Sequence, residues 1–171
     1  TKGMPVDEGD TIITGKNGYV QVLLDDATKI AIRPDSRFVI DAVESPPGDG
    51  FGAVGAGVTP RAQFSLLKGG FRTMSGRIAR TQPSAYRVST PNAVIGVRGT
   101  NYFARLCASD CGGTTENGLY VGLSEGSVLL TNNAGEVDLT SVGGFAFAAN
   151  FNTPPTLLLA PPDSLSDEGL D

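Results

Sequence analysis

Glycine and proline recur so densely in this 171-residue chain that short segments joined by tight turns are favoured over long helices. The 23 glycines and 11 prolines make up about a fifth of the residues, against an ordinary usage of roughly 12%. Punctuation at that density marks many short strands. Thr11 to Thr14 closes at Gly15-Lys16-Asn17-Gly18, whose Asn-Gly pair is a hairpin signal. Tyr19 to Leu24 runs into the acidic turn Asp25-Asp26, and Lys29 to Arg33 alternates with Ile30 and Ile32 on one face. Pro34-Asp35-Ser36 then turns the chain into Phe38 to Ile40. Further strands are predicted at Gln63 to Leu67, Gly70 to Met74, Ala85 to Thr90, Ala93 to Val97 and Tyr102 to Leu106. The second half repeats the grammar at Leu119 to Leu123, Ser127 to Thr131, Glu136 to Leu139 and Phe145 to Ala148.

This pattern predicts an all-β fold of two packed, mostly antiparallel sheets, a jelly-roll-like sandwich or a short β-solenoid variant. One domain is expected over residues 1–151. From Asn152 the prolines of Thr153-Pro154-Pro155 and Pro161-Pro162 and the acids after Asp163 read as a linker or tail over residues 152–171. The glycine-rich stretch Gly48 to Gly57 has neither strand nor helix period and reads as an exposed loop. Gly52, Gly55 and Gly57 lack the strand-to-helix setting and the Lys-Ser/Thr pair of a phosphate cradle.

The net charge of −5 leaves no basic excess for phosphates, which argues against nucleic acid and against docking on an anionic membrane. Basic residues do gather between Arg61 and Arg105, where they read as solvated strand faces and turn caps. No apolar run approaches the roughly 20 residues of a membrane span. The chain contains no histidine, which removes Ser-His and Cys-His catalysis and the commonest metal ligand. Asp25, Asp26, Asp35, Asp41, Asp110, Glu125 and Asp138 are the carboxylates open to acid–base work. Four of them sit in turn signals, where capping of backbone amides accounts for them. No metal-binding spacing is present, and neither a catalytic residue nor a cofactor is expected.

Cys107 and Cys111 are too few for a zinc site without histidine, and their spacing departs from the redox Cys-x-x-Cys pattern. A disulfide closing a short loop between strands is expected, and it points to an oxidising periplasm or cell exterior. Arg98-Gly99-Thr100 interrupts an apolar β run, a pattern that fits a bulge at Gly99 and, less readily, an arginine presented to an anionic partner. Tyr19, Tyr86, Tyr102 and Tyr120 are the side chains that would stack on sugar rings if the chain bound a glycan.

The order of these signals resembles FecR-type domains. Gly9-Asp10-Thr11-Ile12-Ile13-Thr14-Gly15 followed by Val20 to Leu24, Asp25-Asp26 and Ser36 is similar to that family's opening strand and hairpin. Leu66-Leu67-Lys68-Gly69-Gly70-Phe71 is similar to a middle segment. Tyr86-Arg87-Val88-Ser89-Thr90-Pro91, continuing to Val97-Arg98-Gly99-Thr100, resembles its most recognisable signature, and Glu125-Gly126-Ser127-Val128 a later turn. The resemblance runs from about Val6 to Ala148, with Asp26-Ala27 standing where the family usually has Asp-Gly. It implies a non-catalytic module of the periplasm or cell surface. The best-known members relay a signal to a sigma factor through a membrane helix that is not seen here. Others sit beside peptidoglycan-binding or immunoglobulin-like modules, and the proline-rich exit and cysteine loop resemble that second group. Another envelope protein, met at edge strands or at the Gly48 to Gly57 loop, is the expected partner. Glycan or peptidoglycan is the alternative, and a carboxylate hydrolase a remote one.

Overall fold

A computed structural model describes residues 2–45 and 59–166; the expected loop at Gly48 to Gly57 lies outside them. The strands are β1 (Thr11–Ile13), β2 (Val20–Leu23), β3 (Lys29–Ile32), β4 (Arg37–Glu44), β5 (Arg61–Met74), β6 (Tyr86–Ser89), β7 (Val94–Cys107), β8 (Gly118–Asn132), β9 (Gly135–Leu139), β10 (Phe145–Ala148) and β11 (Thr156–Leu158). A one-turn helix, α1 (Arg77–Thr81), lies between β5 and β6. The strand positions follow the alternation of the sequence. Phe38, Ile40 and Ala42 are buried along β4 while Arg37 and Asp41 face solvent.

The expected pair of separate sheets, and the solenoid variant, give way to one hydrogen-bonded sheet of 11 strands. Three segment pairs that read as six strands are three long ones: Gln63 to Leu67 joins Gly70 to Met74 as β5, Ala93 to Val97 joins Tyr102 to Leu106 as β7, and Leu119 to Leu123 joins Ser127 to Thr131 as β8. Each changes neighbours part-way along. Their first set of halves gives the order β1-β4-β5-β6-β7-β8-β9, and their other halves give β2-β3-β5-β7-β8-β10-β11. Pairing is antiparallel except between β5 and β6, the one parallel pair among the described residues, which α1 bridges.

Gly99 makes the bulge expected of it, and Gly69 and Gly126, read as lying between strands, bend continuous strands as well. Gly69 in β5, Gly99 in β7 and Gly126 in β8 have φ of +77°, +56° and +83°, and pairing registers shift beside each. Hydroxyls grip the bends. Ser36 Oγ accepts the amide of Gly70 at 2.9 Å and donates to its carbonyl at 3.1 Å, and a Cβ on Gly69 would fall on that serine. Thr100 Oγ1 donates to the Ser127 carbonyl at 2.7 Å, and Ser75 Oγ accepts the Thr100 amide at 2.8 Å.

The core lies between the two halves of the sheet, and a closed circuit of five rings marks its centre. Phe64 stacks on Phe38 at 5.6 Å, Phe38 meets Phe71 at 5.1 Å, and Phe71 meets Tyr102 at 5.7 Å. Tyr86 packs on Phe64 at 5.8 Å, and its hydroxyl lies 3.0 Å from that of Tyr102. Outside the sheet, a smaller cluster gathers Cys107, Tyr120 and Leu165 with Cys111, Phe147 and Leu158. Part of the segment read as a linker or tail is therefore packed on the domain. Thr156–Leu158 pairs with β10, and Leu165 is buried.

The turn from β2 to β3 is docked on α1. Asp26 is fully buried, its carboxylate accepting the Thr28 amide and hydroxyl at 2.9 Å each and the Ile78 amide at 3.4 Å. The residue after it, Ala27, has φ +68°, a conformation in which glycine is unstrained. Ala27→Gly is expected to raise stability by about 0.5–1 kcal/mol, relief of left-handed strain outweighing the freer unfolded chain. At the bends, Gly126→Ala is expected to cost far more than Gly99→Ala. A Cβ on Gly126 would sit 2.4 Å from the Gly99 carbonyl oxygen, whereas one on Gly99 meets nothing nearer than Arg80 Cγ at 3.7 Å. Gly99→Ala should lose only the left-handed strain of about 1–2 kcal/mol, and urea unfolding of both variants measures the difference.

Candidate interaction surfaces

The residues singled out for chemistry sit in structural roles. Asp26 is held by its turn and by α1, Asp41 accepts a hydrogen bond from Ser65 at 2.7 Å, and Asp110 accepts the Ala108 amide at 2.9 Å. Asp25, Glu125 and Asp138 are exposed and lie apart along the fold, and Asp35 occupies a turn with φ +52°. Among the described residues no three His, Cys, Asp or Glu side chains converge.

The tyrosine platform is corrected by burial. Tyr86, Tyr102 and Tyr120 are 2%, 0% and 3% exposed, leaving Tyr19, at 55%, with a ring free to stack. Burial pushes the Tyr86 hydroxyl up to about 12, its bond to Tyr102 offsetting part of the rise, and holds Tyr102 well above the ordinary tyrosine value. Burial also raises Tyr120, whose hydroxyl donates to the Glu116 carbonyl at 2.9 Å.

Cys107 and Cys111 are disulfide-bonded across a Cα separation of 5.5 Å. Arg105 clamps the loop, donating from Nε to Cys111 Sγ at 3.3 Å and pairing with Asp110 at 3.4 Å. In the Arg98-Gly99-Thr100 segment, glycine makes the bend and threonine ties it to β8, while the arginine side chain is exposed. Arg61 pairs with Glu44 at 2.9 Å on the rim.

Open sheet edges are the most conspicuous remaining surface. Among the described residues β1 pairs only with β4 and β2 only with β3, so each ends one half of the sheet. Between them lies a groove of about 910 Å³ lined by residues 2–6, 10–13 and 19–22. Met4 and Ile13, each 69% exposed, and Tyr19 supply its apolar surface. β9 and β11 end the sheet on the opposite side.

The profile of the FecR protein family matches residues 10–129, well over half of the sequence. The chain belongs to the FecR family. The matched span holds all three bends, so the family signatures at Leu66 to Phe71, Val97 to Thr100 and Glu125 to Val128 fall on the bends and the segments beside them. Two crystal structures of a protein from Parabacteroides distasonis, described as a putative anti-sigma factor, share the fold at TM-scores of 0.59 and 0.60. Identity is 15% in each case, with 91% of this chain and 61% of the other covered. The FecR chain thus spans less than two thirds of the length of those proteins. No curated protein matches the sequence. No helix among the described residues is long and apolar enough to cross a membrane.

What sequence reading missed is the inward aim of the tyrosines. Tyr86 shares its face with Val88 and opposes Arg87, and Tyr102 shares its face with Ala104 and Leu106. That phase was the available signal. The tyrosine pair generates a prediction. Tyr86→Phe leaves the Tyr102 hydroxyl buried without its partner and should cost about 1–3 kcal/mol; Tyr102→Phe should cost less, because Thr73 still bonds the Tyr86 hydroxyl, and the double variant should cost less than the sum. Because burial holds both hydroxyls above the ordinary tyrosine value of 10, their contribution is complete below pH 10 and is lost as pH rises above it, through about 12 for Tyr86. Urea midpoints measured from pH 9 upward should fall in wild type and fall less steeply in the double variant.

Proposed function

We propose that this FecR chain is a non-catalytic module of the bacterial cell envelope that binds another protein, in a signalling or scaffolding role, by strand addition at the edge of β1 or β2. The observation that carries the reading is the groove between those edges. It offers unpaired backbone donors and acceptors on both sides and an apolar floor, which is what an added strand needs. The likeness to a protein described as an anti-sigma factor favours a regulatory role over an enzymatic one. The disulfide favours an oxidising compartment, periplasm or cell surface, in which it would persist. Glycan binding loses its main support with the burial of Tyr86, Tyr102 and Tyr120. The proline-rich segment from residue 152 is read as the start of a connection to further domains, pinned to this one as far as Leu165.

The test is capture from envelope extract and, in parallel, on purified peptidoglycan, using the domain with its disulfide intact. Ile13→Lys and Leu23→Lys place charges on the two edges at positions 69% exposed, so folding should be kept. One protein held by wild type and lost from either variant is the expected result. Retention on peptidoglycan alone, unchanged by the lysines, overturns the proposal.

A further inference from the structure

A second concavity lies on the outer face of β2, β3, β5 and β7, with a volume of about 590 Å³. That is within the range of small-ligand sites, roughly 300–1,000 Å³. Strand register explains its shape. Ala31 sits between Gln21 on β2 and Arg72 on β5, so a methyl group forms the floor between two long side chains. In the next row Lys29 lies beside Met74, and Met74 beside Asn101.

Its chemistry is unbalanced. Arg72 Nη1 and Asn101 Oδ1 are both buried and have no hydrogen-bond partner, although each is costly to leave so. Lys29 adds a second cation, and no aspartate or glutamate lines the cavity in a chain whose net charge is −5. Leu23 and Met74, 69% and 45% exposed, form an apolar rim.

We propose that this cavity binds a carboxylate that carries an adjacent N–H and an apolar side chain, the chemistry of an acylated amino acid or of a peptide's carboxyl terminus. The carboxylate satisfies Arg72 in its preferred fork geometry, with Lys29 beside it. The neighbouring amide donates to Asn101 Oδ1, which a phosphate dianion or a bare carboxylate has no hydrogen to satisfy. The side chain covers Leu23 and Met74. Arg72 and Asn101 are diagonal neighbours across β5 and β7, with backbone positions roughly 7–8 Å apart, so both side chains serve the same cavity. The site lies on the face of the sheet and stands whether or not a strand adds to its edge.

The test is a titration of the isotopically labelled 171-residue chain, followed by amide shifts in two-dimensional NMR. The probes are N-acetyl-L-leucine, N-acetyl-L-leucinamide, which lacks the carboxylate, and the tripeptide acetyl-Ala-Ala-Leu with a free carboxyl end. Saturable shifts at Ala31, Arg72, Met74 and Asn101 are expected from the two carboxylates and not from the leucinamide. Arg72→Gln should weaken binding by about tenfold or more. Ala31→Leu, which fills the floor, should block it, and Arg87→Gln on β6 should leave it unchanged. A tripeptide bound tenfold tighter than the single residue assigns the site to chain termini, and equal affinity assigns it to single acylated residues; both uphold the site. The absence of saturable shifts at millimolar probe, an equal response to the leucinamide, or wild-type binding by Ala31→Leu overturns it. If Arg72→Gln loses a dispersed spectrum, Ala31→Leu decides alone.

Discussion

Gly126 can carry no side chain, because the carbonyl oxygens of Arg98 and Gly99 stand where its Cβ would be, at 2.8 and 2.4 Å. That contact is where β8 crosses the bend of β7, and the rest of the fold depends on it. With both strands turned at one level, and β5 turned beside them at Gly69, a single sheet changes direction without a break in its hydrogen bonding. The bend brings Phe38 and Phe64 from one half against Phe71 and Tyr102 from the other. Each such ring pair is worth about 0.5–1.5 kcal/mol beyond its buried area, and the two links that cross between the halves, Phe38 to Phe71 and Tyr86 to Tyr102, need the bends in place.

The strands were legible because alternation and turn residues mark them directly. Ile30 and Ile32, or Phe38 and Ile40, announce a buried face without knowledge of a partner. The bend at Gly99 was legible as a bulge, but those at Gly69 and Gly126 were not, because a glycine inside a β pattern reads equally as an end or as a kink. Only the neighbour it leans on distinguishes the two, and Gly126 leans on residues 27 and 28 places earlier in the chain. The family resemblance was carried by those same positions, so the signature was recognisable before its mechanical role was. Tyr86 and Tyr102 were misplaced for a different reason. Their hydroxyls suggested a wet surface, whereas the hydroxyls satisfy each other inside the core. Tyr120 points outward, and only Phe147 and the returning segment at Leu165 cover it, which no local pattern reveals.

The surfaces left for binding share an origin with the fold. Bending one sheet leaves four edges where a closed barrel would leave none, and β1 and β2 diverge from their connecting turn to leave a groove. The same curvature makes one outer face concave, and Ala31 deepens it beside the buried, unpartnered Nη1 of Arg72.

The end strands β1 and β11 have a mechanical consequence. Each joins the sheet through three paired residues, while β7 and β8 are paired over most of their length. Tension entering ahead of β1 and leaving beyond β11 would load those short ladders one rung at a time, like a zipper. The three through-running strands would take load only afterwards. Under pull, the FecR chain would shed its borders first and keep its bent centre, so the region around Tyr120 would be uncovered while the ring circuit stayed whole.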